Sequence, residues 1–216
     1  VYSKLCNLLL FIKPKSMKKF TFLFLIAIMA NLMLGSAAFA QISQVTGSPQ
    51  TATQTTDGAA LVITRPSGLV IGDVMIATIT QNDDDGADGG ELSNATSTGW
   101  TVIDGRELGA SGSSGDEWWG TVLYKRATSA DVAAASFSFA VDAQADASSG
   151  GIVAFRGVDG TNPFDVATGT INLTNSDDLS ATSITTVTAN AAVIMLGMVG
   201  DNRTLSTWNT TSPGAL

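Results

Sequence analysis

Five acidic side chains, Asp83, Asp84, Asp85, Asp88 and Glu91, fall within nine residues of the stretch QNDDDGADGGELSNATSTG. Gly86, Gly89 and Gly90 lie between them. A hard cation such as calcium takes six to eight oxygen ligands, and aspartates at alternate positions on a glycine-bent loop supply several. The spacing Asp83-x-Asp85-Gly86-x-Asp88-Gly89 follows a calcium loop in part but matches neither the EF-hand nor a thrombospondin-type repeat. Asp83, Asp85, Asp88 and Glu91 are therefore the candidate calcium ligands. The competing and stronger reading is a solvated acidic loop.

Two further constellations invite chemistry. Trp118 and Trp119 are adjacent in an alternating run, so a strand there turns their rings to opposite faces. Trp118 shares its side with Val122 and Tyr124, and Trp119 shares its side with Glu117, Thr121 and Lys125. The expectation is that Trp118 is core and Trp119 is partly exposed. An exposed ring beside acids suits stacking against the apolar face of a sugar, so Trp119 is the candidate ligand-binding residue. The alternative is a ring covered by the neighbouring loop GASGSSGDE.

The other constellation is the stretch GGIVAFRGVDGTNPFDV, residues 150–166, where Arg156 ends an apolar run. A guanidinium at that place needs a counter-charge. Asp159 and Asp165 are near enough in sequence, and the expected structural ion pair is Arg156 with Asp165. Pro163 shapes the loop, and Phe164 is expected to fold into the core.

The chain contains no histidine, which excludes Ser-His-Asp and Cys-His catalysis and any imidazole zinc site. Carboxylate chemistry is what remains, with Asp116, Glu117, Glu91 and Glu107 as its carriers. Glycoside hydrolysis requires two carboxyl groups at a set separation, one with a raised pKa. With only three glutamates in the chain, a glycoside hydrolase is the weakest alternative.

Met17, Lys18 and Lys19 open a basic segment, the apolar run FTFLFLIAIMANLML follows at 20–34, and Ala38-Phe39-Ala40 precedes Gln41. That order is the pattern of a secretory signal peptide over 1–40, cleaved before Gln41. The run is short for a membrane span. Residues 1–16 precede the first methionine and are open to reading as over-read upstream sequence; the single cysteine, Cys6, lies there. Removing 1–40 takes five lysines and no acid, so 6 − 19 leaves a net charge of −13 over 176 residues. Such a surface repels nucleic acid, and contact with a membrane is expected only through the leader. The expected site of action is outside the cell or on its surface, with an extracellular glycan or protein surface as partner. Without cysteine the exported part builds its stability from core packing alone.

From Gln41 onward short apolar or alternating runs recur between Gly, Asp, Asn and Ser, as in an all-β chain. Strands are expected at 60–64, 74–80, 100–103, 118–126, 135–141, 152–157, 183–188 and 191–199. A weaker pair is expected at 42–45 with 51–56, and another strand at 168–173; 129–135 suits one helical turn. The run ASFSFAV alternates and predicts one wet face, whereas DVMIATIT and AAVIMLGMV are apolar on both parities and predict central strands covered on both faces. Eight to ten such strands fit a two-sheet antiparallel sandwich, most simply a jelly roll, in one domain over 41–216. The closing run STWNTTSPGAL has no strand pattern and no charged tail, so a fragment of a longer surface protein is as good a reading as a complete one.

Five landmarks together resemble a jelly-roll-like β-sandwich module of secreted bacterial surface, adhesin-type and phage structural proteins. They are GDVMIATIT (72–80), GW (99–100), LYKRAT (123–128), FSFAV (137–141) and the stretch 150–166. The likeness covers roughly 60–200. It implies a non-catalytic module for adhesion or extracellular surface assembly and carries no catalytic residues with it. The alternative is a carbohydrate-binding domain of a polysaccharide-degrading protein.

Overall fold

In a computed structural model, the structure describes residues 41–83, 92–108, 117–169 and 180–198. The expected leader 1–40 lies outside them. The described chain is all-β, with antiparallel pairing throughout. In chain order the elements are β1 (Ser43–Gln44), β2 (Gln50–Gln54), β3 (Leu61–Thr64), β4 (Val74–Asp83), β5 (Thr101–Glu107) and β6 (Glu117–Arg126). The helix α1 (Ser129–Ala133) follows, then β7 (Ser136–Phe139) and β8 (Ala147–Arg156).

Two sheets form. The larger runs β1-β8-β4-β6-β5, with β2 also paired to β8; the smaller is β3 with β7. β4 is central because both of its edges are taken, by β6 and by β8, over almost its whole length. Strands β1 and β2 share the other edge of β8 end to end, at 155–156 and 148–152. Where the ladder breaks between them, the Ser48 hydroxyl accepts from the Ala154 N–H at 2.8 Å. The weak pair expected at 42–45 and 51–56 thus exists as two strands, each paired to β8.

Register decides the faces, because side chains alternate along a strand. Met75, Ala77 and Ile79 of β4, Leu123 of β6, and Ile152 and Ala154 of β8 share one face. They are buried with Leu61, Ile63, Phe137 and Phe139 of the smaller sheet in one core cluster. Each Leu, Ile, Met and Phe among them contributes about 1.5–3 kcal/mol of burial. Trp100 packs edge-on against Phe137 and Phe139 with ring centroids 5.5 and 5.1 Å away.

β8 begins five residues earlier than its apolar run, at Ala147. The extra turns of ladder are built from Ser-Ser-Gly-Gly, a composition that reads as loop. A Cβ on Gly150 would meet the Thr78 carbonyl oxygen and Ile79 Cδ1 at 2.5 and 2.7 Å. Only glycine lets β8 come this close to β4 at that place.

The run 129–135 supplies α1, started by a capping box. The Asp131 carboxylate accepts from the Thr128 N–H at 2.8 Å, and the Thr128 hydroxyl accepts from the Asp131 N–H. Asp131 also takes Lys125 Nζ at 2.7 Å, which ties α1 to β6.

Segments 183–188 and 191–198 are not strands. Their backbone turns at Thr188, Ala189 and Asn190, with Asn190 at a φ of 66°, and neither run joins a ladder among the described residues. Apolarity on both parities is a demand for cover, and it does not itself provide a partner with free N–H and C=O groups. Positions 168 and 169 are likewise outside any strand.

Candidate binding face

The two ends of the larger sheet hold most of the charged and polar chemistry, and its outer face holds a trough. At one end Arg156 does pair, but with Asp73 in place of Asp165. Its Nε and an Nη donate to the two Asp73 oxygens at 3.0 and 2.9 Å, and the same Nη donates to the Gly68 carbonyl at 2.8 Å. The reason is register. Arg156 closes β8 where Asp73 leads into β4, and the two strands are neighbours with Val74 opposite Phe155. Asp73 is buried and also accepts from the Val70 N–H at 2.9 Å. Its contact holds the Arg156 guanidinium protonated beyond its ordinary range.

Asp165 instead accepts from the Val187 N–H at 2.6 Å and from Thr188. The Thr188 hydroxyl and then the Val187 amide hold its carboxyl below the usual range. Asp159 is used locally, accepting from the Thr161 and Asn162 amides at 2.6 and 3.1 Å, and these bonds lower its pKa. Phe164 is not a core plug. It is 42 % exposed and sits edge-on to Tyr124, centroids 4.8 Å apart, on the outer face of β6.

At the other end of β4, Asp83 is buried and lies opposite Glu117. Asp85, Asp88 and Glu91 lie outside the described residues. Among the described residues no three carboxylates or other ligating side chains gather for a metal. What does gather there is a hydrogen-bond network around Gln81 and Asp142. Buried Gln81 donates to the Ser93 carbonyl at 2.8 Å and accepts from the Asp142 N–H at 2.7 Å. The Ser93 hydroxyl donates to Asp142, and this bond first of all keeps the Asp142 carboxyl low.

Trp119 is partly exposed as expected, but it lies on the core side of β6, and Trp118 is not core. Trp119 pairs with Gln81 in register, on the side of buried Thr121 and Leu123, and its Nε1 donates to Asn94 Oδ1 at 2.8 Å. Trp118 is on the outer face with Val122 and Tyr124. Both rings are half-buried. Sequence polarity misleads here because the polar members of the Trp119 side are satisfied inside. Thr121 Oγ1 accepts from the Ala95 N–H at 3.0 Å, and Lys125 binds Asp131 and the Thr98 carbonyl.

The outer face reads in rows across β2, β8, β4 and β6. Toward Arg156 the rows hold Val74, Phe155 and the exposed Arg126, then Ile76, Val153 and Tyr124. Next come Thr51, Gly151, Thr78 and Val122, then Thr53, Ser149, Thr80 and Gly120. Asn82 and Trp118 form the row beyond. Over the two middle rows lies a trough of about 510 Å³, walled by Pro49 on one side and by Leu196, Gly197 and Met198. Met198 lies close over the outer side of Gly120, where a Cβ would stand 2.7 Å from its sulfur.

The described lining of the trough contains no ionisable side chain. Its polar groups are threonine and serine hydroxyls, which both donate and accept, set among methyl groups and bare glycine backbone. Glu107 and Glu117 are not part of it. The chemistry of such a surface suits an uncharged, extended ligand. None of its hydroxyl residues stands out singly in sequence. The signal that finds them is the repeated Thr-x-Thr at 51–53 and 78–80, which puts two hydroxyls on one face of each strand.

Comparison with protein-family models, with curated proteins and with solved structures finds no match for the chain. No helix among the described residues is long and apolar enough to cross a membrane.

Proposed function

We propose that the chain is a secreted, non-catalytic β-sandwich module of jelly-roll type, serving adhesion or assembly at an extracellular surface. The outer face of the larger sheet is its contact face. The observation that carries this reading is the neutral, hydroxyl-lined trough over Thr51, Thr53, Thr78, Thr80 and Ser149. Its partner is an uncharged stretch of extracellular glycan or protein surface. The strong negative charge expected elsewhere on the exported chain keeps it soluble and off other anionic polymers.

A second reading, a carbohydrate-binding domain of a polysaccharide-degrading protein, is favoured by Trp118, which stands one row beyond Thr80 on the same face. An array of neutral glycans and extracellular proteins tests both. The adhesion reading expects binding that Trp118→Ala weakens and Trp119→Phe leaves alone. Polysaccharide-specific binding that is lost with Trp118 moves the chain to the second reading. Release of reducing ends from a bound polysaccharide would make it a hydrolase and overturn both.

A further inference from the structure

We infer that segment 189–198 is a strap closing one end of the trough, and that a neutral polysaccharide displaces it to bring Trp118 into the contact. This rests on the reading of the outer face as the contact face. The strap closes at Gly120. A Cβ there would stand 2.7 Å from Met198 Sδ and 2.8 and 3.1 Å from the two Leu108 methyl carbons, so these two side chains fill the space over the glycine. Gly120 lies opposite Thr80 of β4, and Trp118 is the next residue on the same face of β6. Met198 thus stands where the hydroxyl floor would meet the indole ring.

The two covering side chains are held unequally. Leu108 is fixed to β6, its N–H donating to the Trp118 carbonyl at 2.7 Å. Among the described residues no backbone hydrogen bond ties 189–198 to a strand; the Ala191 N–H donates only to the nearby Thr188 carbonyl, at 3.4 Å. Residues 192–197 are exposed and Met198 is half-buried. The tether lies before the turn, where Asp165 accepts from the Val187 amide and from Thr188. A stretch with few buried contacts and no ladder opens at low cost, and Met198, seated by packing, is the part that lifts.

Lifting it joins two kinds of contact that a sugar chain uses together. The Thr78, Thr80 and Ser149 hydroxyls donate to and accept from sugar hydroxyls, and the apolar face of a pyranose stacks on the ring of Trp118. With the strap closed, Met198 stands between them. The polysaccharide competes with Met198 for the space over Gly120, so its apparent affinity scales with the fraction of chains that stand open.

Initial rates of methionine oxidation by dilute peroxide, read by mass spectrometry on the purified chain, test the strap with no ligand present. Met75 is fully buried and Met195 is 41 % exposed, so the two bracket the scale. Met198 is expected to oxidise at a rate between them. Asp165→Ala and Val187→Pro, which delete the two sides of the tether, are each expected to bring Met198 to the rate of Met195 while keeping a cooperative unfolding transition. A soluble neutral polysaccharide is expected to speed Met198 oxidation in the wild type, and Met198→Ala is expected to bind that polymer about fivefold or more tightly. A wild-type Met198 that oxidises as fast as Met195, or that neither tether variant exposes, overturns the strap and leaves the contact face standing. Protection of Met198 by the bound polymer, or weaker binding by Met198→Ala, makes Met198 part of the binding surface and overturns the displacement. If neither chain binds although the tether variants expose Met198, the contact-face reading fails for polysaccharide and the displacement falls with it.

Discussion

Two runs, 74–80 and 191–198, carry the same signature of apolar residues on both parities, and the fold treats them in opposite ways. The first becomes β4, with β6 and β8 on its two edges and its outer apolar residues closed over. The second brings Leu196, Gly197 and Met198 over the outer face, joins no ladder among the described residues and leaves four apolar side chains in contact with solvent. The difference lies in what flanks them. β4 is preceded by Asp73, whose carboxylate is clamped by Arg156 from β8 beside the point where the two strands begin to pair. Segment 191–198 follows a turn held to the body through Asp165 on the far side of Thr188. Apolar patterning states that a strand wants two neighbours, while nonlocal anchors settle whether its own chain provides them.

The sharpest way to break this comparison is to truncate one residue in each run. Ile79 is fully buried, so Ile79→Ala is expected to cost about 2–5 kcal/mol in denaturant unfolding. Ile194→Ala, measured dilute, is expected to fall within about 0.5 kcal/mol of wild type. Similar losses at both would mean that the second run is as packed as the first. Gly150→Ala comes next, at about 1–3 kcal/mol, because its methyl group collides with the β4 carbonyl at Thr78.

The anchor at the start of β4 is tested by a double-mutant cycle. Arg156→Met is expected to lower the melting temperature and to couple strongly with Asp73→Asn, since those groups share two hydrogen bonds. With Asp165→Asn it is expected to be additive. Coupling to Asp165 in place of Asp73 would restore the local pairing expected from sequence and remove the anchor from the account.

The smallest effect concerns pH. Burial pushes the Asp131 carboxyl up, but hydrogen bonds from Lys125 and Thr128 outweigh it and hold the carboxyl below its ordinary value. A depressed pKa means that the folded state binds fewer protons than the unfolded one. Its stabilisation is therefore complete above the unfolded pKa of about 4 and is lost as the pH falls below it. Melting temperatures measured from pH 7 to 3 are expected to fall less steeply below about pH 4 in Asp131→Asn than in wild type. Parallel curves would show that the carboxylate carries no such linkage.

Much of the fold was legible because it is local. The alternation of Phe137 and Phe139 with serines reads directly as a half-buried strand, the double apolar parity of 74–80 reads as a central one, and 129–135 reads as one helical turn. What was not legible depends on pairs far apart in the chain. Arg156 finds its partner 83 residues away, so proximity in sequence pointed to the wrong aspartate. Trp119 lies on the core side of β6 because Thr121 and Lys125 are satisfied internally by Ala95, Thr98 and Asp131. The trough was invisible as a unit, since its hydroxyls come from β2, β4 and β8 and meet only through the register of those strands.

The contact-face reading is tested most directly by removing hydroxyls from the trough without changing its shape. Thr78→Val with Thr80→Val keeps the volume of the two side chains and deletes two donor–acceptor groups from the floor. Beads carrying the wild-type chain are expected to adhere to surfaces coated with neutral polysaccharide or extracellular protein. Beads carrying the double variant are expected to lose that adhesion while the variant melts no lower than wild type. Equal adhesion of the two, or no adhesion of the wild type to any such surface, would contradict the assignment of the outer face as the functional one.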